Sequence, residues 1–203
     1  MKVLFKTIGI LLLMSVFSYA NDTRIAELDA LLSEQKYDQL LITLAPEKFH
    51  KFPSFFNRST DMKWLHEKEK LGYVPLLYIL AYRSIEDNKE DAVKIYAKAR
   101  IYGFLDASEC ATPTRVPWNL ILEQSFPELY KMRKELPLVY LQGADNALKG
   151  DENRTERPSA SWYCKYSTNE NLLLPEQAEN ARKDRRIKML EDNTRKLTIG
   201  KDE

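Results

Sequence analysis

The sequence predicts an all-α fold built from short antiparallel helices. Glycine is scarce, with 6 in 203 residues, and the alternation of β-branched residues that marks strands is nearly absent. Apolar residues instead recur every three or four positions, which places them on one face of a helix. The chain is 44% hydrophobic and 30% charged, a composition typical of a globular domain with a core.

Residues 1–20 have the pattern of a secretory signal peptide. Lys2 and Lys6 flank the start, residues 8–14 are apolar, and residues 18–20 read Ser-Tyr-Ala, a small-x-small cleavage site. The apolar run is shorter than the about 20 residues that span a bilayer, which argues against an uncleaved membrane anchor. We expect a periplasmic or secreted chain that begins at Asn21 and keeps no stable membrane anchor.

Removal of residues 1–20 leaves 29 basic against 30 acidic residues, a net charge of −1. Nucleic-acid binding depends on a surplus of Lys and Arg, so we expect no nucleic-acid partner. The remaining chain is long enough for one domain with a core. We place a helical domain at residues 21–172 and a charged C-terminal helix and tail at residues 173–203.

Two cysteines are present, Cys110 and Cys164. An even number of cysteines in an oxidising compartment predicts a disulfide. The alternative is a reactive thiol, but neither cysteine has a C-x-x-C spacing or a neighbouring histidine that would activate it. We therefore predict a bridge that ties the aromatic segment at residues 162–166 to the central hairpin.

The N-terminal part predicts three short helices. Residues 22–44 carry two apolar faces, formed by Ile25, Leu28, Leu31 and Leu32 and then by Tyr37, Leu40, Leu41 and Leu44. A loop rich in Pro and Phe follows at residues 46–57. Residues 59–61 then offer cap side chains for a helix that carries Met62, Trp64 and Leu65.

The clearest unit is a helical hairpin at residues 74–107. Pro75 suits the first turn of a helix that is apolar nearly all round, as a buried helix is. Asn88 is the expected N-cap of the second helix and Gly103 its expected stop. The inward face of that helix is predicted to consist of Ala92, Val93, Tyr96, Ala97 and Ala99.

The second helix resembles that of Sel-like repeats, a branch of the tetratricopeptide superfamily. The run at residues 92–99 reads Ala-Val-Lys-Ile-Tyr-Ala-Lys-Ala, Gly103 and residues 106–107 follow it, and the Leu80-Ala81 pair precedes it. The resemblance implies a tetratricopeptide-like hairpin that binds proteins. It also implies that the hairpin packs through Leu80, Ala81, Ala92, Tyr96, Ala99 and Gly103.

Two features depart from the family. The glycine-rich turn between the helices is replaced by Glu-Asp-Asn-Lys at residues 86–89. The unit of about 34 residues also has no second clear copy, whereas a solenoid needs about three. A generic helical hairpin with similar packing residues therefore remains an open alternative.

The C-terminal half predicts further helices and one loop. Residues 116–135 suggest two short helices hinged at residues 125–127, and residues 137–148 suggest another. Residues 149–161 turn polar, which indicates a surface loop. Residues 174–197 form a basic helix, which either docks on an acidic partner or membrane surface or is solvated and balanced by its own acids. Its weak amphipathicity favours the solvated form.

No catalytic, cofactor-binding or metal-binding residue is predicted. His66 begins a string in which Lys70 stands where a zinc protease needs its second histidine. Nucleophile elbows and glycine-rich phosphate loops are missing from the sequence. The sequons at Asn21, Asn57 and Asn153 matter only in a host that glycosylates proteins.

These observations leave two functional hypotheses. The first is an exported protein-interaction domain, such as an envelope adaptor or an immunity or inhibitor protein, because stacked helical hairpins build concave binding surfaces. The alternative is a small envelope hydrolase that acts on a glycan or peptide. It would use His66 or a carboxylate in a cleft near Trp64 and Trp118.

Overall fold

The computed structural model describes residues 21–49, 57–111, 118–154, 159–164 and 172–199. The predicted signal peptide lies outside these residues. Within them the chain is helical and contains no strand, and its one β-type contact is an isolated bridge between Cys110 and Leu172. The all-α prediction is confirmed.

Helices account for most of the described residues. The first helix, α1, covers residues 21–33 of the described chain. The others are α2 (Tyr37–Leu44), α3 (Pro46–Phe49), α4 (Arg58–Glu69), α5 (Val74–Ser84), α6 (Lys89–Ala107), α7 (Trp118–Ser125), α8 (Pro127–Glu135), α9 (Pro137–Gly150), α10 (Ala160–Cys164) and α11 (Pro175–Ile199), with a 3-10 turn at Asp151–Asn153.

A stack of five helices organises the fold. The hairpin of α5 and α6 is at its centre, α4 packs on α5, α9 packs on α6, and α11 packs on α9. Nearly all of α5 is buried, because α2, α4, α6 and α8 cover it. In these pairings α4 meets α5, whereas α11 meets α9 and α6.

Local sequence signals explain where several helices begin. Pro75, Pro127 and Pro137 each stand in a first helical turn, where the missing backbone N–H costs nothing. The Asn88 side chain accepts hydrogen bonds from two backbone amides at the start of α6, as predicted. The cap of α4 is Asn57, which precedes the predicted cap residues 59–61.

Gly103 does not stop α6, contrary to the sequence-based expectation. The helix continues through this residue to Ala107. A Cβ atom at Gly103 would overlap Asn119 Oδ1 and the Tyr163 hydroxyl, which donates a hydrogen bond to that same oxygen. The glycine is needed because α7 and α10 approach α6 closely here.

A second close approach joins α6 to α9. A Cβ atom at Gly143 would lie 2.8 Å from Lys94 Cα and 3.1 Å from Ala97 Cβ. The small residues Gly143 and Ala97 therefore let the two helices pack at short range. Ala97 belongs to this contact with α9.

The predicted disulfide between Cys110 and Cys164 is confirmed. The bridge closes a sequence separation of 54 residues and joins the end of α6 to α10. Trp162 and Tyr163 are buried beside it. The Leu173 amide also donates to the Glu109 carbonyl at 2.9 Å, which brings the chain back to the hairpin just before α11.

The segment predicted as a surface loop at residues 149–161 is partly helical and partly buried. Arg154 donates to Asp106 Oδ1 at 3.2 Å and to the Gly72 carbonyl at 3.0 Å. The Ser159 hydroxyl donates to the other Asp106 oxygen. Both Asp106 and Ser159 are fully buried, so polar residues here fasten the segment to the hairpin.

The same polar cluster anchors α11. Its Arg182 lies 3.6 Å from Glu109 and 3.8 Å from Asp151, and Asp151 is almost fully buried. Charges withdrawn from water are retained only when they are paired, which explains why these acids and arginines occur together.

Candidate binding site

The residues that the family resemblance singled out lie in the interior. Leu80 and Ala81 in α5, and Ala92, Tyr96 and Ala99 in α6, are each at most 1% exposed. The Tyr96 ring packs against Tyr78 of α5 and Tyr140 of α9, at centroid distances of 5.7 and 5.9 Å. These residues build the hairpin and present no binding surface.

The cleft suggested for a hydrolase does not form around Trp64. This side chain is 1% exposed, and its Nε1 donates to Asp29 Oδ1 at 3.0 Å. His66 is exposed on α4, and the side chain of Trp118 lies outside the description. No group of three or more His, Cys, Asp and Glu side chains suited to a metal ion occurs among the described residues.

A pocket of about 400 Å³ lies between α6, α8, α9 and α11. Its lining includes aromatic rings from α6 and α9 and a methionine from α11. The lining residues are Arg100, Ile101, Phe104, Arg133, Pro137, Tyr140, Leu141, Ala144, Arg185, Met189, Asp192, Asn193 and Lys196.

The C-terminal helix forms one wall of this pocket. The Asn193 side chain donates to the Leu141 carbonyl of α9 at 3.1 Å, and Met189 and Leu190 pack against the core. Arg182 and Arg186 face acidic partners, whereas Arg185 lines the pocket. Arg185 and Arg186 are adjacent in the helix and therefore face different directions.

Positive charge dominates the pocket, with four basic lining residues and one acidic residue. Arg100 forms an ion pair with Glu123 and donates to the Tyr140 hydroxyl at 3.2 Å. Burial tends to lower the pKa of Arg100, but Tyr140 and Glu123 outweigh this effect and raise it. Arg100 is therefore a fixed cation whose charge Glu123 balances.

Lys196 and Asp192 balance each other at the rim. The Lys196 ammonium lies 2.6 Å from Asp192, which also accepts from Arg195 at 2.6 Å. The bonds from Lys196 and Arg195 lower the pKa of Asp192, so this carboxylate stays ionised. It is already shared between two cations.

Arg133 and Arg185 differ from every other arginine in the described ranges. The others each have a carboxylate oxygen within 4.0 Å, whereas these two have none there. Each instead lies over an aromatic ring, Arg133 at 4.6 Å from the Tyr140 centroid and Arg185 at 5.8 Å from the Phe104 centroid. Both unbalanced guanidinium groups line the same pocket.

A buried hydroxyl lies beneath this region. Tyr96 is fully buried, and its hydroxyl has no hydrogen-bond partner among the described residues. Burial raises the pKa of Tyr96, and the charges that act on it include Glu123, Arg100 and Arg133. The hydroxyl is a neutral donor close to the cations of the pocket.

Sequence reasoning missed this pocket. Arg133 and Arg185 are far apart in the chain, and only the packing of α9 between α6 and α11 brings them to one site. The one available signal was the basic composition of the C-terminal helix, and it did not distinguish Arg185 from its paired neighbours.

Comparisons with protein-family models, with curated proteins and with solved structures returned no match. No helix in the described part of the chain combines the length and the apolar content that a bilayer crossing requires. The pocket geometry is therefore the main guide to function.

Proposed function

We propose that this chain is an exported helical protein-interaction domain that binds another protein through the pocket between α6, α8, α9 and α11. One observation carries the proposal: Arg133 and Arg185 line this pocket and have no carboxylate within 4.0 Å among the described residues. Arg133 is half-buried and Arg185 is exposed, and a cation without a counter-ion attracts an anion more strongly where it is partly shielded from water. A binding partner supplies the missing counter-charge.

Within that class, an envelope adaptor or an immunity or inhibitor protein fits best. The hairpin at residues 74–107 resembles Sel-like repeats, whose tetratricopeptide-like stacking serves protein binding. The buried bridge between Cys110 and Cys164 is typical of an oxidising, exported environment. The signal-like residues 1–20 agree with export.

The hydrolase alternative has weaker support. It relied on His66 and on aromatic residues that would hold a substrate, but Trp64 is buried and His66 stands exposed on the surface of α4. The residues that line the basic pocket belong to α6, α8, α9 and α11, and none of them belongs to α4. Protein binding is therefore the function that the geometry supports best.

Affinity capture tests the proposal. The full chain, tagged at its C-terminus and exported by the producing cell, serves as bait, and an unrelated exported protein with the same tag serves as control. We expect one envelope protein to be enriched with the bait and not with the control. Enrichment of no protein would contradict the proposal. The mass of the recovered bait also reports whether the chain begins at Asn21.

A further inference from the structure

We infer that the pocket receives an acidic segment of the partner protein, with carboxylates on Arg133 and Arg185 and an apolar side chain beside Phe104 and Met189. This inference rests on the proposed function and adds the chemistry of the partner. It follows from the charge, the lining and the size of the pocket together.

The charge balance favours an anionic ligand. Arg100 is matched by Glu123, and Lys196 is matched by Asp192. Among the described residues, no carboxylate lies within 4.0 Å of the guanidinium groups of Arg133 and Arg185, so these two charges remain for a ligand. Arginine presents a planar fork of donors that matches a carboxylate in bidentate fashion, so acidic side chains are natural occupants.

The apolar lining distinguishes a peptide from a simple ion. Ile101, Phe104, Leu141 and Met189 line the pocket beside the arginines. A small inorganic anion would leave this apolar surface in contact with water, whereas an acidic peptide with a neighbouring aliphatic or aromatic residue would cover it. A methionine in the wall also adapts to side chains of different shape.

The volume of the pocket limits how much of the partner enters it. About 400 Å³ lies toward the lower end of the roughly 300–1,000 Å³ typical of ligand sites. It suits a few side chains of an extended or looped segment. Arg185 is exposed at the pocket, so a segment can reach the site without unfolding α11.

A membrane surface is a weaker candidate for the same cations. Recognition of anionic lipids uses clusters of Lys and Arg with few acids among them. Helix α11 has seven basic residues but also five acidic ones, and Arg182 and Arg186 are engaged by Glu109, Asp151 and Glu152. The charge available to a surface is therefore small.

Peptide binding to the oxidised mature chain tests the inference. The probe is a fluorescently labelled peptide in which aspartate and glutamate flank a leucine, and its reference is the same peptide with asparagine and glutamine. We expect binding of the acidic peptide that weakens as salt is added, because screening reduces the attraction between charges. The amide peptide is expected to bind at least about tenfold more weakly, since charge-assisted hydrogen bonds are lost.

Paired variants locate the binding. The double variant Arg133→Glu and Arg185→Glu is expected to lose at least about tenfold in affinity for the acidic peptide. The control variant, Lys131→Glu and Lys188→Glu, changes the net charge equally on the same two helices at exposed positions outside this pocket. It should bind like the wild type, and thermal melts verify that both variants are folded.

Several results would overturn the inference. Equal binding of the two peptides would show that the site does not recognise carboxylates. Equal losses of affinity in the two double variants would show only a general effect of net charge. Full competition by inorganic phosphate, or recruitment to vesicles of phosphatidylglycerol that depends on Arg133 and Arg185, would assign the pocket to another ligand. If the double variant still captures the cellular partner, this inference fails while the proposed function stands.

Discussion

Replacement of Gly103 by alanine tests the account of how the C-terminal half is fastened to the hairpin. The new methyl group would overlap Asn119 Oδ1 and the Tyr163 hydroxyl, and Asn119 and Tyr163 are both buried. Tyr78 also donates to Asn119, at 3.4 Å. The substitution therefore disturbs a set of buried hydrogen bonds between α5, α7 and α10.

Three effects determine the size of the change in stability. Overpacking costs about 1–3 kcal/mol, and a buried hydroxyl left without its partner costs about 1–3 kcal/mol. Alanine recovers about 1 kcal/mol of helix propensity. We expect Gly103→Ala to lower the free energy of unfolding by about 1–5 kcal/mol.

Gly150→Ala is the matched control for this experiment. Gly150 ends α9 with a φ of −66°, and the nearest heavy atom to an added Cβ is the Tyr102 hydroxyl oxygen at 3.8 Å. Alanine fits there, so stability should stay the same or rise by up to about 1 kcal/mol. Urea denaturation of the oxidised proteins measures both changes. A Gly103→Ala variant as stable as Gly150→Ala would refute the reasoning.

Three further predictions concern stability. Ala99→Leu should overpack the buried face of α6 and lower the free energy of unfolding by about 1–3 kcal/mol. The control Lys94→Ala should be nearly neutral in the same urea titration. Equal stabilities of the two variants would show that the space around Ala99 accommodates a larger side chain. Reduction of the bond between Cys110 and Cys164 should lower the free energy of unfolding by up to about 4 kcal/mol. Thiol labelling of the unfolded protein should show two free thiols only after reduction. Free thiols before reduction would contradict the bridge. Burial alone would raise the pKa of Asp29, but the hydrogen bonds from Lys68 and Trp64 outweigh it. The pKa of Asp29 is therefore lowered from its ordinary value of 3.8. The Asp29 contribution is then present above that ordinary value and is lost as the pH falls through the lower folded-state pKa. The unfolding midpoint of Asp29→Asn should therefore fall less than that of the wild type between about pH 5 and pH 2, and parallel curves would refute this.

Features with a local cause could be predicted from the sequence. Pro75 in a first turn and the cap at Asn88 act within one helical turn, and α5 and α6 begin where they indicated. The pairing of Cys110 with Cys164 followed from their number and from the expected compartment. Each of these inferences depends on few residues.

Features with a distant cause could not be predicted. A glycine at position 103 is typical of a helix C-terminus, but Gly103 lies within α6. The close approach of Asn119 and Tyr163 explains why a glycine is needed there. The polar residues at 149–161 suggested a solvated loop. In the structure Arg154 instead reaches the buried Asp106, a contact that the sequence does not reveal. The basic pocket likewise depends on how α8 and α11 meet across α9.

Photo-cross-linking in the producing cell tests the central claim most directly. A photoreactive amino acid replaces Lys196 at the rim of the pocket or, as a control, the exposed Lys63 on α4, which does not line the pocket. The account predicts a covalent adduct with one envelope protein from position 196 only, and its loss when Arg133 and Arg185 are both changed to glutamate. An adduct from position 63 alone, or one from position 196 that survives both charge reversals, would contradict the claim that this pocket binds the partner.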